Sequence, residues 1–217
     1  MKLITAQYCP FCLRCLLALT EKGLHFEVEE VHLPDKAQFP EKLSPYGRVP
    51  VLVDGTATIF ESSVICEYLE DAHPTPALMP QSPAARATAR FWIDFCNTRF
   101  MPAYFNLLKT PPGTERYDLR AELLSYLARI NDDALSAETG PLWFGHHLTL
   151  TDIAFYPFFE RFAAVEEFRG VVIARDHENL HRWLNAMRAR TSVRHYMRPH
   201  TEYVACFAPY YADDETR

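Results

Sequence analysis

Short apolar runs and amphipathic stripes alternate over the first third of the chain. Residues 2–5 form a short apolar run that predicts a strand. Between Pro10 and Gly23 the apolar side chains recur with helical spacing, and these two residues favour the start and the end of a helix. Residues 26–31 alternate between apolar and polar side chains, which predicts a second strand.

A hairpin and a second helix complete this segment. The Asp-Gly pair at 54–55 is a strong turn signal, so it predicts that 50–53 and 57–60 are antiparallel neighbours. Inward-facing apolar positions predict a helix over 62–71, and the polar stretch 35–43 has room for one helical turn. The predicted order is strand–helix–strand–helix–strand–strand–helix, which indicates a small α/β domain on a mixed sheet.

The rest of the chain has helical spacing after a proline-rich stretch that suits a linker. Predicted helices cover 84–108 and 115–137, and others begin near Thr149 and around Trp183. We therefore predict an α/β domain over 1–73, a linker over 74–84 and an all-α domain over 85–217.

Composition narrows the functional classes. A net charge of -6 argues against a broad nucleic-acid surface. No run of about 18 apolar residues is present, so no membrane span is expected, and the first residues lack the apolar core of a signal peptide. The six cysteines are Cys9, Cys12, Cys15, Cys66, Cys96 and Cys206. Because the first three are crowded together, they indicate chemistry at one place in a reducing compartment, and we expect a cytoplasmic protein.

The first cysteine stands where a strand gives way to a helix. Proline is favoured at the first helical position, so Pro10 makes Cys9 the N-cap residue. The Cys9 sulfur is then expected to face the free amides of Phe11 or Cys12 and the positive end of the helix dipole. Both effects favour the thiolate, so we predict Cys9 as the catalytic residue and Cys12 as a candidate resolving thiol.

The cysteines allow two other interpretations. The first three follow the C-x-x-C-x-x-C spacing of iron–sulfur ferredoxins, but position 19, where a fourth ligand belongs, is Leu19. The histidines show no ligand spacing either, so we expect no metal site. Free cysteines often sit in cores, which favours an inert, buried role for Cys15, Cys66 and Cys96.

Two further segments suit an amino-acid-like ligand. Val49 precedes Pro50 at the start of a predicted strand, and a cis peptide bond there would leave the Val49 amide and carbonyl available to an extended chain. Ser62 is expected to cap a helix whose start can bind a carboxylate, and Glu61 beside it can bind an ammonium. Such a pair fits the γ-glutamyl end of glutathione, although a plain capping serine beside a solvated glutamate remains an alternative.

These residues resemble those of omega-class glutathione transferases. The similar segments are Cys9-Pro10-Phe11 with Arg14, the stretches 47–52 and 61–69, the capping box Thr149–Asp152, and Pro157–Phe162. The resemblance implies the glutathione transferase fold, with an α/β thioredoxin-like N-terminal domain, an all-α C-terminal domain and a homodimer.

Site residues follow from the same resemblance. Cys9 matches the cysteine that forms a mixed disulfide with glutathione, which would be the cosubstrate. The implied glutathione-binding residues are Phe11, Lys36, Val49, Pro50, Glu61 and Ser62. Two positions depart from the omega pattern: Cys12 replaces a residue that is often Ala, and Phe158 replaces a Trp of the acceptor pocket.

The resemblance implies glutathione-dependent thiol–disulfide transfer or reduction, with dehydroascorbate reduction as a variant. The second substrate would be a small electrophilic or disulfide acceptor, with no nucleic-acid or membrane partner. One alternative is conjugation, which needs a hydroxyl to stabilise the glutathione thiolate, and Tyr8 adjoins Cys9. The other is a non-catalytic, partner-binding protein on the same fold, as in starvation proteins of this superfamily.

Overall fold

A computed structural model describes residues 1–31, 44–135 and 140–212 of the chain. It divides into two compact units, Met1–Met79 and Pro80–Arg217, which we call the N-terminal unit and the helical unit. The predicted helical turn at 35–43 lies outside the described residues.

The N-terminal unit is a four-stranded mixed sheet with two helices. Its elements are β1 (Lys2–Thr5), α1 (Pro10–Glu21), β2 (Glu27–Glu30), β3 (Val51–Asp54), β4 (Ala57–Phe60) and α2 (Ser62–Ala72). The strand order is β2-β1-β3-β4, with β1 parallel to β2 and antiparallel to β3, and β3 antiparallel to β4. Both predicted helices, the hairpin and the second strand are therefore confirmed.

A buried ion pair ties the ends of the two helices together. Lys22 Nζ, just after α1, lies 2.8 Å from Glu70 Oε2 on α2, and both side chains are almost completely buried. The same ammonium donates hydrogen bonds to the carbonyl oxygens of His73 (2.7 Å) and Pro76 (2.9 Å). Glu70 also accepts a hydrogen bond from the amide of Leu78 at 2.8 Å. The cluster therefore fixes the chain that follows α2 to the end of α1.

The helical unit contains eight α-helices among its described residues. They are α3 (Pro83–Phe95), α4 (Met101–Lys109), α5 (Thr114–Arg129), α6 (Leu150–Glu160), α7 (Phe162–Arg169), α8 (Glu178–Ala189), α9 (Thr191–Tyr196) and α10 (His200–Tyr211). The helix predicted over 84–108 contains a π-helical turn at Cys96–Phe100. The reason is Pro102, because proline lacks the amide and clashes with the carbonyl one turn earlier. A second π-helical turn, Ile130–Ala134, extends α5.

The capping box predicted before α6 is present, and its Asp152 also accepts hydrogen bonds from two buried tryptophans. Asp152 is fully buried, and its carboxylate accepts hydrogen bonds from the amide (2.8 Å) and hydroxyl (2.9 Å) of Thr149. It also accepts from the Trp143 amide (3.0 Å) and from the Trp183 indole (2.9 Å). Trp143 in turn stacks on Phe155. Within the described chain, no helix has the length and hydrophobicity that crossing a membrane requires.

Candidate active site

Cys9 lies in the turn between β1 and α1 and is the N-cap residue of α1, as predicted. Its backbone is extended (φ -75°, ψ 117°), Pro10 follows as the first helical residue, and the side chain is half-buried. Its amide donates to Ala6 O at 3.2 Å, and its carbonyl accepts from the Leu13 amide at 3.2 Å. These two bonds fix the backbone on both sides of the cysteine.

The first amides of α1, which the Cys9 sulfur is predicted to face, do not donate a capping hydrogen bond to it. The structure shows no side-chain capping bond at this position. Sulfur is a weak acceptor, so it competes poorly for an amide compared with the oxygens that usually cap helices.

Cys12 and Cys15 are core thiols. Cys12 is 1% exposed and Cys15 is 0% exposed, which confirms the buried position expected for Cys15. Burial raises the pKa of Cys12 well above its usual range, and the hydrogen bond and negative charge of Cys9 raise it further. Burial also raises the pKa of Cys15, followed by its hydrogen bond to Cys66 on α2. Both thiols therefore stay protonated at neutral pH.

An open cleft adjoins the start of α1 in the N-terminal unit. Five predicted site residues line it, and the remaining lining residues were not predicted to bind. The full lining is Phe11, Ser44, Arg48, Val49, Pro50, Phe60, Glu61 and Ser62. Lys36, the other predicted binding residue, lies outside the described residues. Cys9 is not part of the lining, although Phe11, two residues further along, is.

The Val49–Pro50 peptide bond is cis, as predicted. Pairing of β3 with both neighbouring strands begins at Val51, so Val49 lies outside the sheet ladder. Val49 itself lines the cleft. A backbone donor and acceptor placed in this way can bind an extended peptide.

The start of α2 differs from the prediction by one residue. Glu61, not Ser62, is the N-cap residue, and the Ile65 amide donates to Glu61 O at 2.8 Å. Glu61 has φ 64° and ψ 121°, a left-handed backbone that is uncommon for a residue with a Cβ atom. This conformation ends β4 and turns the chain into α2, which makes Ser62 the first helical residue. The Glu61 side chain stays exposed at the cleft.

A buried arginine supports this helix start from α1. Arg14 is 2% exposed, and its Nη1 donates to the hydroxyls of Ser62 (3.4 Å) and Ser63 (3.5 Å). Its guanidinium also lies over the Phe11 ring, 5.6 Å from the ring centre. Arg14 belongs to the motif that begins at Cys9, but no role was predicted for it.

Arg48 is the functional candidate that the sequence analysis missed. Its side chain is exposed and contributes a positive charge to the cleft wall, and its amide donates to Ser44 Oγ at 3.2 Å. A cation directly before the Val49–Pro50 pair was the signal available in the sequence. Among the described residues no group of three or more His, Cys, Asp or Glu side chains could hold a metal ion.

Comparisons with known proteins agree with this geometry. Residues 8–72 match the family model "Glutathione S-transferase, N-terminal domain", and residues 114–186 match "Glutathione S-transferase, C-terminal domain". A probable glutathione S-transferase GSTU1 of Oryza sativa subsp. japonica is 33% identical over 207 residues, which are 89% of this chain and 88% of that protein.

Solved structures extend the similarity to two classes. A tau-class glutathione S-transferase from mango, Mangifera indica, has a TM-score of 0.89 at 25% identity and covers 97% of this chain and 98% of its own. Glutathione transferase Omega 3C from Trametes versicolor has a TM-score of 0.85 at 27% identity, covering 96% of this chain and 89% of its own. The sequence matches in both halves and the shared fold show that this chain belongs to the glutathione S-transferase family.

Proposed function

We propose that this glutathione transferase is of the cysteine type and catalyses glutathione-dependent thiol–disulfide transfer through Cys9. The observation that carries the proposal is the half-buried cysteine at the N-cap of α1, the helix whose Phe11 lines a cleft suited to a peptide. The dipole of a twelve-residue helix favours negative charge at that end, which favours the thiolate. An omega-class enzyme among the structural neighbours supports the cysteine-type interpretation.

The cleft offers a partner for each part of reduced glutathione. The exposed carboxylate of Glu61 suits the ammonium of the γ-glutamyl group, and the start of α2 at Ser62 suits its carboxylate. The backbone of Val49 suits the amide of the central cysteine, and Arg48 suits the glycyl carboxylate. Phe11 provides an apolar wall. The cleft therefore suits an extended tripeptide, with a protein partner for the charged groups at each of its ends.

The proposed reaction proceeds in two exchange steps. The Cys9 thiolate attacks the glutathione sulfur of an acceptor disulfide, forming a Cys9–glutathione disulfide and releasing the acceptor thiolate, which takes up a proton. The thiolate of a second glutathione then attacks the glutathione sulfur of that mixed disulfide. Oxidised glutathione leaves and the Cys9 thiolate is regenerated. The acceptor is thereby reduced by two electrons, and two glutathione moieties end as one disulfide.

Conjugation of glutathione to an electrophile is the second candidate, because a tau-class enzyme is also among the structural neighbours. Tyr8 adjoins Cys9 and has a left-handed backbone with φ 63°. In that mechanism a hydroxyl stabilises the glutathione thiolate, and no disulfide to the protein forms. Cys9→Ser should then retain or gain conjugating activity, whereas thiol transfer should be lost.

The test is reduction of a glutathionylated peptide by purified wild type and Cys9→Ser. We expect the serine variant to lose at least about two orders of magnitude in rate, because it removes the nucleophile. Cys206→Ser, a half-buried cysteine of the helical unit, is the matched control and should retain the wild-type rate. Equal activity of wild type and Cys9→Ser would refute the cysteine mechanism. If wild type and Cys9→Ser both bind immobilised glutathione but neither reduces the peptide, the partner-binding alternative is favoured.

A further inference from the structure

One buried cation contacts two of the residues that line the cleft. The guanidinium carbon of Arg14 lies 5.6 Å from the centre of the Phe11 ring, and its Nη1 lies 3.4 Å from Ser62 Oγ. Phe11 and Ser62 both belong to the cleft lining, whereas Arg14 does not and is only 2% exposed. Arg14 therefore acts on the cleft from behind its wall.

The contacts of Arg14 determine what two hydroxyl groups can do. Its Nη1 donates to Ser62 Oγ and, at 3.5 Å, to Ser63 Oγ, which are the hydroxyls of the first two residues of α2. A hydroxyl that accepts from a guanidinium keeps its own proton, so it can donate to a further partner. The Cys15 thiol also donates to the carbonyl oxygen of Ser62 at 3.9 Å, which holds the same residue against α1. Ser62 is thus fixed in place, with a hydroxyl suited to an acceptor.

The charge of Arg14 adds to that of the helix start. The first amides of an α-helix lack carbonyl partners within the helix and form the positive end of its dipole. The guanidinium beside them raises the positive potential at Ser62, and burial strengthens this effect because the dielectric constant is low there. A negatively charged group is therefore favoured at Ser62, and a positively charged group is disfavoured. This polarity suits the carboxylate of the γ-glutamyl group and not its ammonium.

We propose that Arg14 is a positioning residue that makes the start of α2 selective for the γ-glutamyl carboxylate of glutathione. The role rests on the proposed function, because that function places the tripeptide in this cleft. Arg14 acts through its neighbours: it keeps the Ser62 hydroxyl available as a donor and supplies positive potential at the helix start. Its contact with Phe11 holds an apolar part of the cleft wall in place at the same time.

The test changes the protein and the ligand separately and measures binding by calorimetry. One ligand is S-methylglutathione, which cannot form a disulfide. The other is 4-aminobutanoyl-S-methylcysteinylglycine, which differs from it only by lacking the γ-glutamyl carboxylate. We expect Arg14→Gln, which removes the charge, to bind S-methylglutathione about tenfold more weakly and the analogue less than about twofold more weakly. Arg14→Lys keeps the charge and should retain most of the wild-type preference for S-methylglutathione.

A purely structural role of Arg14 predicts a different result, since a loosened cleft weakens the binding of both ligands equally. Equal losses for the two ligands in Arg14→Gln, or unchanged binding of S-methylglutathione, would overturn the inference. Wild type that binds the two ligands with equal affinity would overturn it as well.

The two serines provide an independent measurement if Arg14→Gln does not fold. Ser62 lines the cleft and Ser63 does not, although Arg14 donates to both. Ser62→Ala should bind S-methylglutathione about fivefold more weakly and the analogue as wild type does, because one donor to the carboxylate is lost. Ser63→Ala, the matched control, should bind both ligands as wild type does. If Ser62→Ala also binds both ligands as wild type does, the hydroxyl is not the donor and the inference fails.

Binding of these ligands involves no turnover and no reaction at Cys9, so the two proposals can fail separately. If Cys9→Ser retains transfer activity while Arg14→Gln loses the preference for the carboxylate, the proposed reaction fails and the role of Arg14 stands. If Cys9→Ser loses transfer activity while Arg14→Gln binds both ligands as wild type does, the reaction stands and the role of Arg14 fails.

Discussion

Replacing Lys22 with methionine should destabilise the N-terminal unit strongly, although Lys22 lies outside the cleft. Its ammonium is completely buried and donates to Glu70, His73 and Pro76 within 2.9 Å. Methionine has a similar length but no donor. The change leaves the carboxylate of Glu70 buried beside the amide of Leu78, and it removes this donor from the carbonyl oxygens of His73 and Pro76.

The expected cost follows from the burial of the pair. Removing one partner of a buried ion pair typically costs about 3–5 kcal/mol, because the remaining charge is left uncompensated. The same unit contains a matched exposed pair, Lys2–Glu29, at 3.1 Å with side-chain exposures of 42% and 48%. Solvent screens such a pair, so Lys2→Met should cost less than about 1 kcal/mol. The double variant Lys22→Met/Glu70→Leu should recover part of the loss, since both charges of this pair are then absent.

Hydrogen exchange of the β1 and β3 amides is the suitable assay. All three tryptophans belong to the helical unit, so tryptophan fluorescence does not report on the sheet. We expect Lys22→Met to lower the protection of Leu3 and Leu52 by roughly two to three orders of magnitude, and Lys2→Met by less than about tenfold. Equal losses in the two variants, or a double variant worse than Lys22→Met, would show that the buried charge of Glu70 does not determine the cost.

Three further predictions concern the cleft, the core of the helical unit and the core of the N-terminal unit. Arg48→Ala should weaken binding of reduced glutathione by about tenfold in calorimetry, because a charge-assisted bond to the glycyl carboxylate is lost, and unchanged affinity would exclude that role. Asp152→Ala should destabilise the helical unit by about 3–5 kcal/mol in urea unfolding followed by tryptophan fluorescence, since buried donors lose their acceptor. Burial raises the pKa of the Cys15 thiol. The protonated thiol therefore makes its full contribution to stability below the usual thiol pKa, and this contribution is lost as the pH rises through the raised pKa. The melting temperature of wild type should therefore fall relative to Cys15→Ala between pH 8 and 11, and a constant difference would contradict this.

The features that the sequence predicted well depend on local periodicity and turn chemistry. The Asp54–Gly55 turn and the apolar alternation around it place β3 and β4 within one residue of their observed limits. The pairing of Thr149 with Asp152 is likewise predictable from the sequence, because both partners lie within one helical turn. These signals need no knowledge of residues that are distant in sequence.

The features that the sequence did not predict depend on backbone strain and on tertiary contacts. Ser62 is the better N-cap by preference, yet the left-handed backbone of Glu61 moves the helix start by one residue. The contact of Lys22 with Glu70 joins residues that are distant in sequence, so no local pattern encodes it. The place of Arg48 in the cleft wall requires the strands and α2 to be assembled first.

The most direct test of Cys9 as the catalytic thiol is a mass spectrum of the intact protein after exposure to oxidised glutathione at neutral pH, followed by peptide mapping. We predict one glutathionyl group, on Cys9, that reduced glutathione removes. Cys9→Ser should remain unmodified under the same conditions, and Cys206→Ser should be modified as wild type. An unmodified wild-type protein, or modification confined to Cys206, would contradict the assignment of Cys9 as the catalytic thiol.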